Sequence, residues 1–141
     1  MATAKWATPS AQGSNIASTT LDSLADSATS VFVTHDNSSN LDYQGSVLVN
    51  LGSITTVAGA SLTLRTFSCQ GSDAPDNTGS VGGGDQYNEP LLVGTGAKVV
   101  VFRMVRFYPE SMRFCFTNSA GVALAASGNS VKVRPYDEAI S

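Results

Sequence analysis

Charge is scarce in this 141-residue chain: Asp, Glu, Lys and Arg together make up 13% of it, about half the usual share. That scarcity excludes a coiled coil or a long amphipathic helix, both of which need abundant Glu, Lys and Leu. Cysteine occurs twice, as Cys69 and Cys115, too rarely for a disulfide framework and too far apart for a redox pair. Both are expected to act as small buried apolar side chains, and a single cross-sheet disulfide stays open. No apolar stretch approaches the ~20 residues of a membrane span. The first eleven residues hold one lysine and no apolar core, so no secretory signal is expected.

Small hydroxylated residues fill the gap that the missing charge leaves, with 19 Ser and 13 Thr. Apolar residues still reach 42%, and they fall in compact, patterned runs, which argues against wholesale disorder. A chain of this length forms one domain and buries roughly two-thirds of its unfolded surface.

The runs alternate with period two, the mark of a strand with one buried face. Tyr43, Gly45, Val47, Val49 and Leu51 share one face, with Gln44, Ser46, Leu48 and Asn50 on the other. Leu62 and Leu64 alternate with Thr63 and Arg65, and Met112, Phe114 and Phe116 with Arg113, Cys115 and Thr117. Val131 and Val133 alternate with Lys132 and Arg134, while 98–107 is apolar on both faces around Val99 to Phe102. Shorter strands are expected at 28–34, 91–93 and 122–126. Turn formers separate these runs every 8–12 residues, and no convincing helix appears. The expected fold is all-β, an antiparallel sandwich of jelly-roll type with about eight strands.

Two segments depart from this pattern. Residues 1–15 are polar and aperiodic, an expected extended N-terminal arm that carries the only tryptophan, Trp6. Trp is enriched both in back-packed arms and at interfaces, and the two readings stand equal here. Residues 16–141 form the domain, and a long Gly-, Asp- and Asn-rich loop is expected near 70–90, a length that marks functional or mobile connections.

Charge is unevenly distributed. Residues 1–96 carry two bases against eight acids, a net of −6, whereas 97–141 carry six bases against three acids, a net of +3. The whole chain is at −3, so general affinity for nucleic-acid phosphates is not expected. The six bases are Lys98, Arg103, Arg106, Arg113, Lys132 and Arg134. Either they are a solvated strand face or they meet an acidic protein partner. Arg113, Lys132 and Arg134 alternate with apolar residues, so they are expected to project away from the core on one shared face.

No constellation for catalysis is visible. The single histidine, His35, lies beside a turn and is expected to be exposed. A triad needs a base oriented by an acid, and no Gly-x-Ser-x-Gly elbow is present. One histidine and two scattered cysteines do not make a zinc site. Gly82-Gly83-Gly84-Asp85 lacks the Gly-Lys-Ser/Thr of a phosphate loop. Asp73, Asp76 and Asp85 are close enough in sequence to ligate Ca²⁺, but without calcium-loop spacing they read as a solvated hinge. Asn37-Ser38-Ser39 is a glycosylation sequon of low specificity. The expectation is a chain with no catalytic, cofactor-binding or metal-ligating residues. Trp6, Tyr87 and Tyr108 are the aromatic candidates for a sugar platform, and they do not cluster in sequence.

Two segments carry a resemblance. Residues 21–51 (LDSLADSATSVFVTHDNSSNLDYQGSVLVNL) and 114–134 (FCFTNSAGVALAASGNSVKVR) resemble the small jelly-roll decoration, or cement, proteins of tailed-bacteriophage virions. The closer likeness is Asn118-Ser119-Ala120-Gly121 through Gly128-Asn129. It covers roughly 21–136 and departs over 66–95. The motifs are turns, so they identify a scaffold better than a role. The resemblance implies a non-enzymatic protein on the outer surface of a capsid, bound to the major capsid protein as a homodimer that reinforces contacts between capsomers. It implies no cofactor, no direct contact with nucleic acid and no membrane. Trp6, Arg113, Lys132 and Arg134 are the candidate partner-binding residues. A tail, head-fibre or adaptor component on the same scaffold, or a carbohydrate-binding jelly roll, would share these features.

Overall fold

Alternating side chains drive the longest runs into strands, and the order in which those strands pair defines the architecture. The computed structural model describes residues 4–6, 15–39, 41–69, 84–109, 111–136 and 138–140, with only the backbone at 4–6, 15 and 138–140. The strands are β1 (Ala4–Trp6), β2 (Asn15–Ala17), β3 (Val33–Asp36), β4 (Gln44–Thr56) and β5 (Ser61–Ser68). They are followed by β6 (Asp85–Pro90), β7 (Gly94–Arg106), β8 (Ser111–Ser119), β9 (Ser130–Pro135) and β10 (Glu138–Ile140).

Eight of these form two four-stranded antiparallel sheets, ordered β2-β9-β4-β7 and β3-β8-β5-β6. The pairing is nested: β1 with β10, β2 with β9, β3 with β8, β4 with β7 and β5 with β6. The chain is thus one long hairpin rolled over on itself, which is the jelly-roll topology. Rolling adds the cross-pairs β4–β9 and β5–β8.

Between the sheets lies one core. Val47, Val49 and Leu51 of β4, Val100, Phe102 and Val105 of β7, and Val131 and Val133 of β9 face Leu62 and Leu64 of β5 and Met112, Phe114 and Phe116 of β8. These are the apolar faces of the alternating runs, and their burial is the main force holding the sheets together. Cys69 and Cys115 are buried thiols rather than a disulfide.

Elsewhere the expected elements shift. The segment 85–90, expected at the end of the long loop, is the edge strand β6; the rest of that loop, 70–83, lies outside the described residues. Its sequence DQYNEP hides the strand, because only one face of an edge strand needs apolar side chains, and Tyr87 alone supplies one here. Residues 91–93 and 122–126 are not strands. Strand β7 begins at Gly94, and the exposed Leu92 and Val93 form its approach. The backbone of 122–126 is held by other groups: Leu124 donates to the Leu24 carbonyl, and the Val122 carbonyl accepts from Asn118.

Within the expected arm, residues 4–6 form β1 against the chain's own β10, with Trp6 opposite Glu138, and Asn15 begins β2. The Trp6 side chain lies outside the described residues.

Candidate partner-binding surface

Outward-facing positions on the two sheets carry different chemistry. On the sheet β2-β9-β4-β7, Lys132 sits opposite Leu48, which sits opposite Val101. One row along, Ser130, Asn50 and Val99 align, with Asn50 Nδ2 donating to Ser130 Oγ at 3.1 Å. Arg134 lies opposite Ser46 and is exposed. Lys132 and Arg134 therefore flank an apolar strip of Leu48, Val101 and Val99, of which Val99 is 67% exposed.

Arg113 is on the other sheet. It pairs with Thr34 on one side and Phe67 on the other, and its guanidinium lies 5.9 Å from the centre of the Phe32 ring. Phe32 meets Phe67 edge to face at 5.5 Å. The expectation that Arg113, Lys132 and Arg134 share one face is therefore corrected. The three belong to strands of opposite sheets, so alternation within each strand aims them in opposite directions. Arg113 is half-buried in a cation–π contact, whereas Lys132 and Arg134 remain together. Lys98 also leaves the basic face: it is 5% exposed, and its Nζ donates to the Gly94 carbonyl at 2.7 Å.

Phe67 occupies an outward position on β5 yet is fully buried. Gly84, at φ +70°, makes this possible: a Cβ there would lie 2.9 Å from the Phe67 ring and 2.4 Å from the Thr66 carbonyl oxygen. Beside it, Cys115 pairs with Arg65 across β8 and β5. Burial pushes the Cys115 thiol up, and the Arg65 charge pulls the other way.

His35 is not exposed as expected. It lies on the core side of β3, its ring 5.3 Å from Phe107 and stacked at 6.1 Å on Phe114. Burial lowers its pKa, against an opposing pull from Asp36, and Nε2 is buried without a hydrogen-bond partner. Strand β3 runs to Asp36, two residues past the run expected at 28–34, and its alternation points His35 inward with Val33.

Tyr87 and Tyr108, scattered in sequence, come together around Arg106. The Arg106 amide donates to Tyr87 Oη at 3.0 Å, and the guanidinium lies 5.4 Å from the centre of the Tyr108 ring. Tyr108 Oη donates to Asp85 Oδ2 at 2.6 Å. Burial, then the Asp85 carboxylate, pushes the Tyr108 hydroxyl up to about 12. Both rings also pack on the core, so neither is a free stacking platform. Asp85 serves Tyr108; Asp73 and Asp76 lie outside the described residues. No group of three or more His, Cys, Asp or Glu side chains able to hold a metal occurs among the described residues.

The sequon asparagine is a structural hub. Asn37 is buried, donating from Nδ2 to the Asp42 and Tyr108 carbonyls at 2.6 and 2.9 Å and accepting from the Asp42 amide. Both Nδ2 hydrogens are engaged, so this amide is not presented for glycosylation in the folded chain.

Asn118 and Asn129, which stand in the turn-rich segments of the sequence, are two further hubs. Asn118 Nδ2 donates to the Leu24 and Val122 carbonyls, and its Oδ1 accepts from Ala120. Asn129 Nδ2 donates to Asp22 Oδ1 and the Ala125 carbonyl, and its Oδ1 accepts from Gly52. Asp26 accepts from the Gly121 amide, and Ser23 donates to the Ala125 carbonyl. A register shift in β4 between Leu51 and Ile54 places Gly52 under this loop. Any Cβ at 52 would lie 2.2 Å from the Ser127 carbonyl oxygen.

Comparison with known proteins finds no matching family model, no matching curated protein and no matching solved structure.

Proposed function

We propose that the chain is a non-enzymatic structural protein of a tailed-phage virion that binds the outer surface of the capsid, contacts the major capsid protein and reinforces the joints between capsomers. One observation carries this reading. The segments that resemble decoration proteins, 21–51 and 114–134, are joined by hydrogen bonds from Asn118, Asn129 and Gly121 to Leu24, Asp22 and Asp26. They form one closed structural unit on a jelly roll, so the likeness falls on residues that act together.

The capsid-facing surface in this reading is the strip of Leu48, Val99 and Val101 with Lys132 and Arg134 beside it. Apolar contact supplies the affinity. The two bases steer and orient the approach, since exposed ion pairs contribute only ~0–1 kcal/mol each. A homodimer would grip two equivalent capsomers, and repetition over the shell turns modest affinity into large total stabilisation.

Purified chain added to capsids that lack it tests the reading. Attachment is expected to slow as salt rises, because steering is screened. It is expected to weaken in the double variant Lys132→Glu, Arg134→Glu, with folding intact. Attachment indifferent to both changes would remove the basic strip from the contact. Failure to bind any capsid surface would overturn the proposal.

A further inference from the structure

Among the described residues Lys98 is the one buried charged side chain, and the fold gives it no counter-charge. It sits on the core side of β7, opposite Leu51. Its Nζ reaches back to the Gly94 carbonyl, its single partner. Glu89, the acid nearest in sequence, lies opposite Leu62 on the other sheet and makes no ion pair with it. An ammonium has three hydrogens to place, and lysine is almost never fully buried unless paired.

That carbonyl belongs to an apolar end of the sandwich, where the β4–β5 turn meets the approach to β7. Thr56 Oγ1 donates to the Leu92 carbonyl at 2.6 Å, the Ala60 amide to Val57 and the Leu91 amide to Ala60. Val57, Leu92 and Val93 project from this tied end, with Leu92 81% exposed. Residues 43–64 and 90–97 contain no Asp, Glu, Lys or Arg. A Cβ at Gly94 or Gly96 would meet nothing within 4 Å, so the backbone beside the Gly94 carbonyl is uncovered. The uncharged surface continues along the outward face of β7 through Thr95 and Ala97 to Val99, and the Thr95 and Thr55 hydroxyls are hydrogen-bonded to each other at 2.7 Å.

We infer that this end of the sandwich receives an acidic segment of the major capsid protein, whose Asp or Glu carboxylate reaches Lys98 Nζ while flanking apolar side chains cover Val57, Leu92 and Val93. The occupant is argued from charge. A buried cation without a counter-charge calls for one anion. One cation in an apolar rim suits one carboxylate between apolar side chains. The repeated phosphates of a nucleic acid or a lipid surface need clustered bases instead. In a desolvated site a hydrogen-bonded ion pair is stronger than on the open face of β9, and it fixes orientation as well. The capsid as source of the segment rests on the reading above, whereas the demand for a carboxylate rests on Lys98 itself.

Lys98→Met removes the charge from a side chain of similar length, and it separates a role in the fold from a role toward the partner. The free Lys98→Met chain should melt at the same temperature as the unmodified chain or higher, because the ammonium is uncompensated there. Its attachment to capsids that lack the chain should weaken roughly tenfold or more. Leu92→Ser, at an exposed position, should also weaken attachment with melting unchanged. Treating the attached chain with a carbodiimide, which condenses an amine and a carboxylate into an amide with loss of water, should join Lys98 to an Asp or Glu of the major capsid protein, read by mass spectrometry. A free Lys98→Met chain that melts well below the unmodified one would place the ammonium's role inside the fold and overturn the inference. Attachment unchanged in both variants, or coupling through Lys132 with none through Lys98, would overturn it too. In these last two cases the unmodified chain still binds, and the decoration reading stands. An unmodified chain that binds no capsid overturns that reading, and the capsid contact proposed here with it.

Discussion

Asn129 Nδ2 donates to Asp22 Oδ1 at 2.7 Å, joining residues 107 positions apart. The same side chain binds the Ala125 carbonyl and the Gly52 amide, so one amide ties the first turn, the β4 bulge and the loop before β9. Asn129→Ala leaves these groups without partners in a buried site, each worth roughly 1–3 kcal/mol. The expected loss is about 3 kcal/mol, read as a lower denaturation midpoint. Asn129→Asp should be at least as damaging, because it removes both donors and sets a second carboxylate beside Asp22. A loss below ~0.5 kcal/mol in either variant would show that the loop is held by other means.

Thr66 offers the opposite sign. Its side chain is fully buried on the core side of β5, and Oγ1 has no hydrogen-bond partner. Thr66→Val keeps the shape and removes a desolvated hydroxyl, so it should stabilise the fold by about 1 kcal/mol. Equilibrium denaturation measures this directly, and destabilisation would mean that the hydroxyl is satisfied in solution.

His35 makes stability depend on pH. Burial lowers its folded pKa below the ordinary 6.5, so the unfolded chain binds the proton more readily. Stability from this residue is complete above pH 6.5 and is lost as pH falls from there through the folded value. Urea midpoints should therefore decline between pH 7.5 and 5.5, a window above the ordinary carboxylate range. His35→Leu should flatten that decline. An unchanged slope in the variant would place the dependence elsewhere.

The basic residues separate by role. Arg113→Ala loses the cation–π contact to Phe32 and is expected to cost about 1 kcal/mol of stability. Lys132 is half-buried and Arg134 exposed, both on the outward face of β9, so Lys132→Glu with Arg134→Glu should cost less than the Arg113 change, about 0.5 kcal/mol. Thermal melts of the variants side by side check this, and equal losses would contradict the split between the two sheets.

Much of the fold was legible because β4, β5, β8 and β9 bury one face, and burying one face forces period two. The runs around Val47, Leu64, Phe114 and Val131 are such cases. β6 escaped because an edge strand needs few apolar residues. Residues 122–126 misled because apolar composition does not reveal that the Leu24 backbone and Asn118 already occupy their polar groups. At the candidate surface, alternation along a strand correctly aimed Lys132 and Arg134 outward. It could not tell which sheet each strand joins, and so it grouped Arg113 with them. The inward turn of His35 and Lys98 was hidden for the same reason: a side chain's face depends on where its strand begins and what closes over it.

The central claim is a structural role on the outside of a capsid, and a cryo-EM map of the virion that carries this chain tests it most directly. The account predicts hundreds of copies on the outer surface, placed over the joints between capsomers, with Leu48, Val101, Lys132 and Arg134 facing the major capsid protein. A dozen or fewer copies at a single vertex, or density confined to the tail or to the inside of the shell, would contradict it.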